Sequence, residues 1–161
     1  MLMPRTIRLD TTDVHAFDHA AEPGEWAVSG AFAFSDLAEE DLVGKVRVAF
    51  RSAFLGIGSF GWSTFVAVAQ MSELEHEATL ATLTQHLLDI YGAPDLAAAG
   101  EAASQEMLFA SGLCAGYQTN QLIGVERELN SDGISEGFRT FEPPREAQHA
   151  RIWDIVPEVN K

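Results

Sequence analysis

The sequence is short of several things at once, and each shortage removes a class of protein. One cysteine, Cys114, occurs in 161 residues, so no intrachain disulfide can form and a disulfide-stapled secreted module is excluded. Long apolar runs are missing too. The best membrane candidate, Ser52 to Met71, has no formal charge, but three glycines, three serines, a threonine and a glutamine dilute it, whereas a spanning helix is more continuously apolar. The opening MLMPRTIRLDTTD has no apolar h-region, so no signal peptide is read and a soluble, cytoplasmic protein is expected. Positive charge is the third shortage. Ten Lys and Arg face 24 Asp and Glu, a net charge of −14. From Ser52 to Glu126 there is no Lys or Arg at all, while eight acids occur there. Nucleic-acid affinity comes largely from neutralising phosphates, so no nucleic-acid partner is expected.

What remains is an ordinary globular composition, 47% apolar and 21% charged, in a chain long enough for one core. RTIRLD reads as a short strand. DVHAFDHAAEPGEWAVSGAFAF reads as two strands around Glu22-Pro23-Gly24-Glu25, with Trp26, Val28, Gly30, Phe32 and Phe34 sharing a face. A helix is expected from Asp36, with Leu42, Val46, Ala49, Phe50, Ala53 and Phe54 at helical spacing and Gly56 and Gly58 stopping it. WSTFVAVAQM then suits a central strand. Ser72-Glu73-Leu74-Glu75 is a capping box opening a helix to Tyr91. A third helix starts near Pro94, carries the stripe Leu96, Ala99, Ala103, Met107, Ala110 and Leu113, and closes at Gly116. NQLIGVEREL, the turn NSDG and ISEGFRTF make a hairpin. The order β-β-β-α-β-α-α-β-β predicts an α+β domain over residues 1–142: an antiparallel or mixed sheet of five to six strands covered by three helices. Residues 143–161 are left as a C-terminal tail whose Ile152-Trp153-Asp154-Ile155-Val156 docks on the body or on a partner.

Several motifs invite a chemical reading. Gly56-Ile57-Gly58-Ser59-Phe60-Gly61 matches G-x-G-x-x-G, but phosphate binding needs a helix N-terminus after the glycines. Here a strand follows, so the motif reads as a turn and no cofactor is implied. His15 and His19, with Asp18 beside them, have the i, i+4 spacing of a metal site on a helix. On a strand the same pair would stand roughly 13 Å apart, too far for one ion. His86 projects with Glu75, Thr79, Thr82 and Asp89 on the polar face of its helix, a solvated His–Asp pair or a general base. His76 sits in an acidic first turn and attracts no role. Cys114, in FASGLCAGY with no cation nearby, reads as a small buried hydrophobe. The aromatic set Trp26, Phe32, Phe34, Phe60, Trp62 and Phe65, edged by the hydroxyls of Ser59, Ser63 and Thr64, has the make-up of a small apolar ligand site or of a core.

The stretches PRTIRLD, AEPGEWAVSGAFAF, KVRVAFRSAFLGIGSFGWST and YGAPDLAAA resemble an uncharacterised family of small proteobacterial proteins, a domain of unknown function. The resemblance runs from about Pro4 to Phe141. It implies a bacterial, cytoplasmic setting and carries over no catalytic residue. The functional expectation is an accessory or binding protein acting through an acidic helical surface or the aromatic strand face. Two alternatives stand beside it: a small metal-assisted enzyme using His15, His19 and Asp18 or His86, and an apolar-ligand binder using Trp26, Phe60, Trp62, Ser63 and Thr64. A protein partner or a homodimer is plausible, since such a sheet leaves an edge to cover.

Overall fold

The computed structural model of the chain describes residues 1–141, and in them strands and helices mix as an α+β domain. The strands are β1 (Leu2–Ile7), β2 (Trp26–Val28), β3 (Phe54–Ile57), β4 (Trp62–Ser63), β5 (Phe65–Gln70), β6 (Leu122–Asn130) and β7 (Gly133–Phe141). They form a single curled sheet in the order β4-β3-β2-β1-β5-β6-β7, every neighbouring pair antiparallel. The helices are α1 (Thr12–Ala16), α2 (Gly44–Ser52), α3 (Glu73–Ile90) and α4 (Leu96–Cys114). The expected tail, residues 143–161, lies outside the described residues.

Seven strands and four helices replace the expected five to six and three, and each difference has a local cause. In place of the strand expected ahead of the Glu22–Glu25 turn, Thr12–Ala16 is a helical turn and a half. Asp10 accepts the Thr12 N–H at 2.8 Å and bends the chain into it; five residues are too few to leave a 3.6-residue signature. β2 ends at Val28, and Phe32 and Phe34 sit in a 3₁₀ turn, Ala31–Phe34. Gly30 makes that exit at φ 85°, where a Cβ would lie 2.9 Å from the Trp62 ring. WSTFVAVAQM is two strands, not one, because buried Asp13 takes Thr64 out of the ladder. Its carboxylate accepts the Thr64 N–H at 3.2 Å and the Thr64 hydroxyl at 2.6 Å. The helix expected from Asp36 to Phe54 is a 3₁₀ turn, Glu39–Asp41, then the shorter α2, and Phe54 already belongs to β3.

Gly56 and Ile57 therefore end β3, and Gly58 to Gly61 turn the chain into β4, a β3–β4 hairpin and not the end of a helix. Glu25 organises it, accepting from Ser59 N at 2.8 Å and Ser59 Oγ at 2.7 Å. Gly61 is required by close approach, since a Cβ there would meet the Ala20 backbone at 2.6 Å. The longer helices keep nearly the spans their sequences predict, although Leu96, expected in the apolar stripe of α4, is exposed. The Ser72 hydroxyl and Glu75 carboxylate cap each other's N–H groups at 3.1 and 2.9 Å. α4 opens at Asp95, whose carboxylate takes the Ala98 N–H at 2.8 Å, leaving Pro94 just outside the helix.

Both faces of the sheet centre are covered, because successive residues of β2 and β3 enter different clusters. Trp26, Val28, Leu55 and Ile57 pack with Met71, Leu83 and Leu87 of the α3 region and with Ala99, Ala103, Met107 and Ala110 of α4. Ala27 and Phe54 join Val66, Val68, Ile123 and Val125, with Cys114. A third cluster, Phe17, Phe34, Ala49, Phe50 and Ala53, seats α2 beside Leu129 and Ile134 of the last hairpin.

Candidate functional site

Strand parity in β6 places Ile123, Val125, Arg127 and Leu129 on one side, the side that the second and third clusters fill. Arg127 is thereby completely buried. Its guanidinium is occupied on every edge. Nε donates to Glu136 at 2.7 Å, and Nη1 donates to the carbonyls of Phe50 and Ala53 at 2.9 and 2.8 Å. Nη2 donates to the Ser29 carbonyl. Glu136 faces Arg127 directly across the hairpin and also accepts the Ser29 hydroxyl. Two of these carbonyls close the C-terminal end of α2, where a cation is favoured by the helix dipole. Burial pulls the Arg127 pKa down while Glu136 holds it up, so the group stays a cation tied to its acid. On α4, burial and then the Glu136 charge push Glu106 upward, against Arg127.

This anchor fixes α2 against β6 and leaves a groove of about 410 Å³ between them. Its apolar lining is Leu42, Phe50 and Leu129. Arg47 and Arg51, one turn apart on α2, supply positive charge; Glu39 and Glu128 supply negative charge on the lining as well. Around it α2 is exposed over most of its girth, with Val46 and Val48 at 39% and 41% exposure and the N-cap Val43 at 64%.

A census of the described cations sets Arg47 and Arg51 apart. Arg5 lies over the Trp26 ring at 4.7 Å and donates to the Gly24 carbonyl. Arg8 donates to the Ala21 carbonyl at 2.6 Å, and Arg139 lies over Phe141 at 5.4 Å. Lys45 reaches Asp18 at 3.9 Å. Among the described residues, Arg47 and Arg51 form no ion pair.

The aromatics singled out from sequence gather as core packing: Phe32, Phe60 and Trp62 pack against the first cluster, which contains Trp26. Trp26 is buried in the first cluster. Trp62 packs on Phe34 with ring centroids 5.0 Å apart. Phe60, at φ 57°, stacks flat on His86 at 3.5 Å, and Tyr91 joins His86 to Phe32. The hydroxyls meant to edge a pocket are committed inside the fold, Ser63 to the Phe65 carbonyl at 2.7 Å and Thr64 to Asp13. His86 is half-buried on α3, not on a fully solvated face, and desolvation lowers its pKa against the raising effect of Asp89. Thr79, expected on the same polar face, is buried. His15 lies on α1, His19 lies beyond it with its carbonyl accepting the Trp62 N–H, and both are exposed. Among the described residues no three His, Cys, Asp or Glu side chains are grouped to hold a metal. Cys114 is buried, and its thiol is pushed up to about 11 by desolvation.

The Arg127–Glu136 anchor and the groove it fixes were missed, although the letters hold a signal. One arginine interrupts an otherwise apolar alternate set, Ile123, Val125 and Leu129, and the NSDG turn pairs it with Glu136.

A family model described as Family of unknown function (DUF6505) matches residues 1–154. No curated protein and no solved structure matches the chain.

Proposed function

The chain belongs to that family, and from its surfaces we propose that it is a binding protein whose α2–β6 groove takes a segment carrying both acidic and apolar side chains. The observation that carries this reading is the position of Arg47 and Arg51. In a chain of net charge −14, they flank an apolar strip of Leu42, Phe50 and Leu129 and are not consumed by any described acid. A carboxylate on the incoming segment gains a charge-assisted hydrogen bond with either guanidinium. Its apolar neighbours remove the half-buried Leu42 and Leu129 and the exposed valines Val46 and Val48 of α2 from water. The buried Arg127 supports recognition indirectly, by holding the last turn of α2 at a fixed distance from β6.

A fluorescein-labelled peptide alternating Asp and Leu is the probe, read by anisotropy against the full chain. Arg47→Glu with Arg51→Glu is expected to weaken its binding at least tenfold, and binding to the parent chain should fall as NaCl rises. Equal binding before and after the double reversal removes the groove from the account. No helix in the described residues is long and apolar enough to cross a membrane.

A further inference from the structure

We infer that residues 151–156 of the same chain are the resident occupant of the α2–β6 groove, a built-in ligand that an outside partner must displace. The inference rests on the reading of that groove as a docking site, and adds to it who sits there first. Three observations point to this segment. The first is chemical: Arg151, Ile152, Trp153, Asp154, Ile155 and Val156 carry one charge of each sign among apolar side chains, as the groove lining does. Asp154 answers Arg47 and Arg51, Arg151 answers Glu39 and Glu128, and the four apolar side chains answer Leu42, Leu129 and the exposed Val46.

The second is reach. β7 ends at Phe141, opposite Leu122, whereas the groove lies by Leu129, opposite Ile134. Those positions are seven residues apart along the ladder, roughly 23 Å at about 3.3 Å per residue. Residues 142–150 can span about 30 Å when extended, so the segment arrives with slack to spare. Pro143 and Pro144 have no N–H to extend the β7 ladder, which favours departure from the sheet edge. The third is the extent of the family match, which continues past β7 through Asp154. Arg151 to Asp154 thus lie inside the matched span, and Ile155 and Val156 lie beyond it.

Tethering raises the local concentration of such a segment to the millimolar range, so even a weak contact is occupied. An external acidic segment would then bind by competition, and its apparent affinity would report on the tail as well as on the groove.

The test is limited digestion of the full chain with an arginine-specific protease, followed by mass spectrometry. Cleavage after Arg145 and after Arg151 is compared with the same bonds in a free synthetic peptide of residues 142–161. In the folded protein, cleavage after Arg151 is expected to be at least tenfold slower than in the peptide, and cleavage after Arg145 to stay within about threefold of it. Arg47→Glu with Arg51→Glu should bring Arg151 cleavage to the peptide rate, and adding Asp154→Lys should restore protection. If the reversed variants lose their fold by circular dichroism, the unaltered chain decides: protection should vanish in 0.5 M NaCl with the fold retained. Trp153→Ala should tighten binding of the Asp/Leu peptide at least fivefold. Peptide-like cleavage at Arg151 in the unaltered chain, or protection that ignores charge reversal and salt, overturns the inference. If the Asp/Leu peptide nevertheless binds through Arg47 and Arg51, the proposed function survives that loss; if it does not, both fall.

Discussion

Arg127 concentrates more of the structure's polar chemistry than any other described side chain. A fully buried guanidinium is tolerable only because Glu136 and three main-chain carbonyls satisfy it. Arg127→Met is therefore expected to cost about 3–5 kcal/mol, since it leaves Glu136 without its cation and the end of α2 without a donor. Arg127→Lys should recover only a minority of the loss, because an ammonium cannot reproduce the planar fork. Urea denaturation of the two variants checks both statements. His86 gives a second expectation at this scale. Its folded pKa lies below the ordinary value near 6.5 because the ring is partly desolvated against Phe60. Folding therefore favours the neutral ring: this contribution is fully present above about pH 6.5 and is lost as pH falls through the lowered folded value. His86→Phe keeps a ring to stack and should flatten that part of the stability–pH curve, measured as thermal midpoints from pH 7.5 to 5.

Among the elements, those with a long period or a complete end signal behave as their sequences say. Ser72 and Glu75 show why: their reciprocal cap is local and needs nothing from elsewhere in the chain. Ser72→Ala should cost about 1 kcal/mol, with Glu75→Ala adding less than its own single effect because one box holds both; a double-mutant cycle in urea measures it. The β6–β7 hairpin and the stripe of α4 were legible for the same reason. The stretch from Thr12 to Phe54 was legible only at Trp26–Val28 and Gly44–Ser52. There the chain turns on contacts with residues distant in sequence: Asp13 with Thr64, Glu25 with Ser59, Gly30 with Trp62. No window of ten residues contains such partners. The candidate site was illegible for a related reason. Its residues come from Glu39 to Arg51 and from Arg127 to Leu129, and aromatic and histidine letters, which attract a chemical reading, turned out to be stacked on one another or turned outward. The clue that was present, an arginine in an apolar alternate set, concerned the anchor and not the lining.

Over the whole molecule the −14 charge sets how the protein responds to its solution. Self-repulsion opposes compactness and is screened by salt. Raising NaCl from about 10 to 300 mM should therefore increase the thermal midpoint of the full chain, by the same mechanism that would weaken peptide binding at Arg47 and Arg51. Opposite responses of stability and binding to one variable form a sharp check, and calorimetry alongside anisotropy supplies it. The Arg127 anchor has a consequence for biosynthesis as well. Its carbonyl partner in Phe50 lies 77 residues earlier, so a ribosome adding roughly 5–20 residues per second needs about 4–15 seconds between the two. Throughout that interval the emerging α2 has no arginine to terminate it and no β6 to form the other wall. Recognition surface and final hairpin are completed in a single late step, so a prematurely truncated product would carry most of the fold's residues and none of the groove.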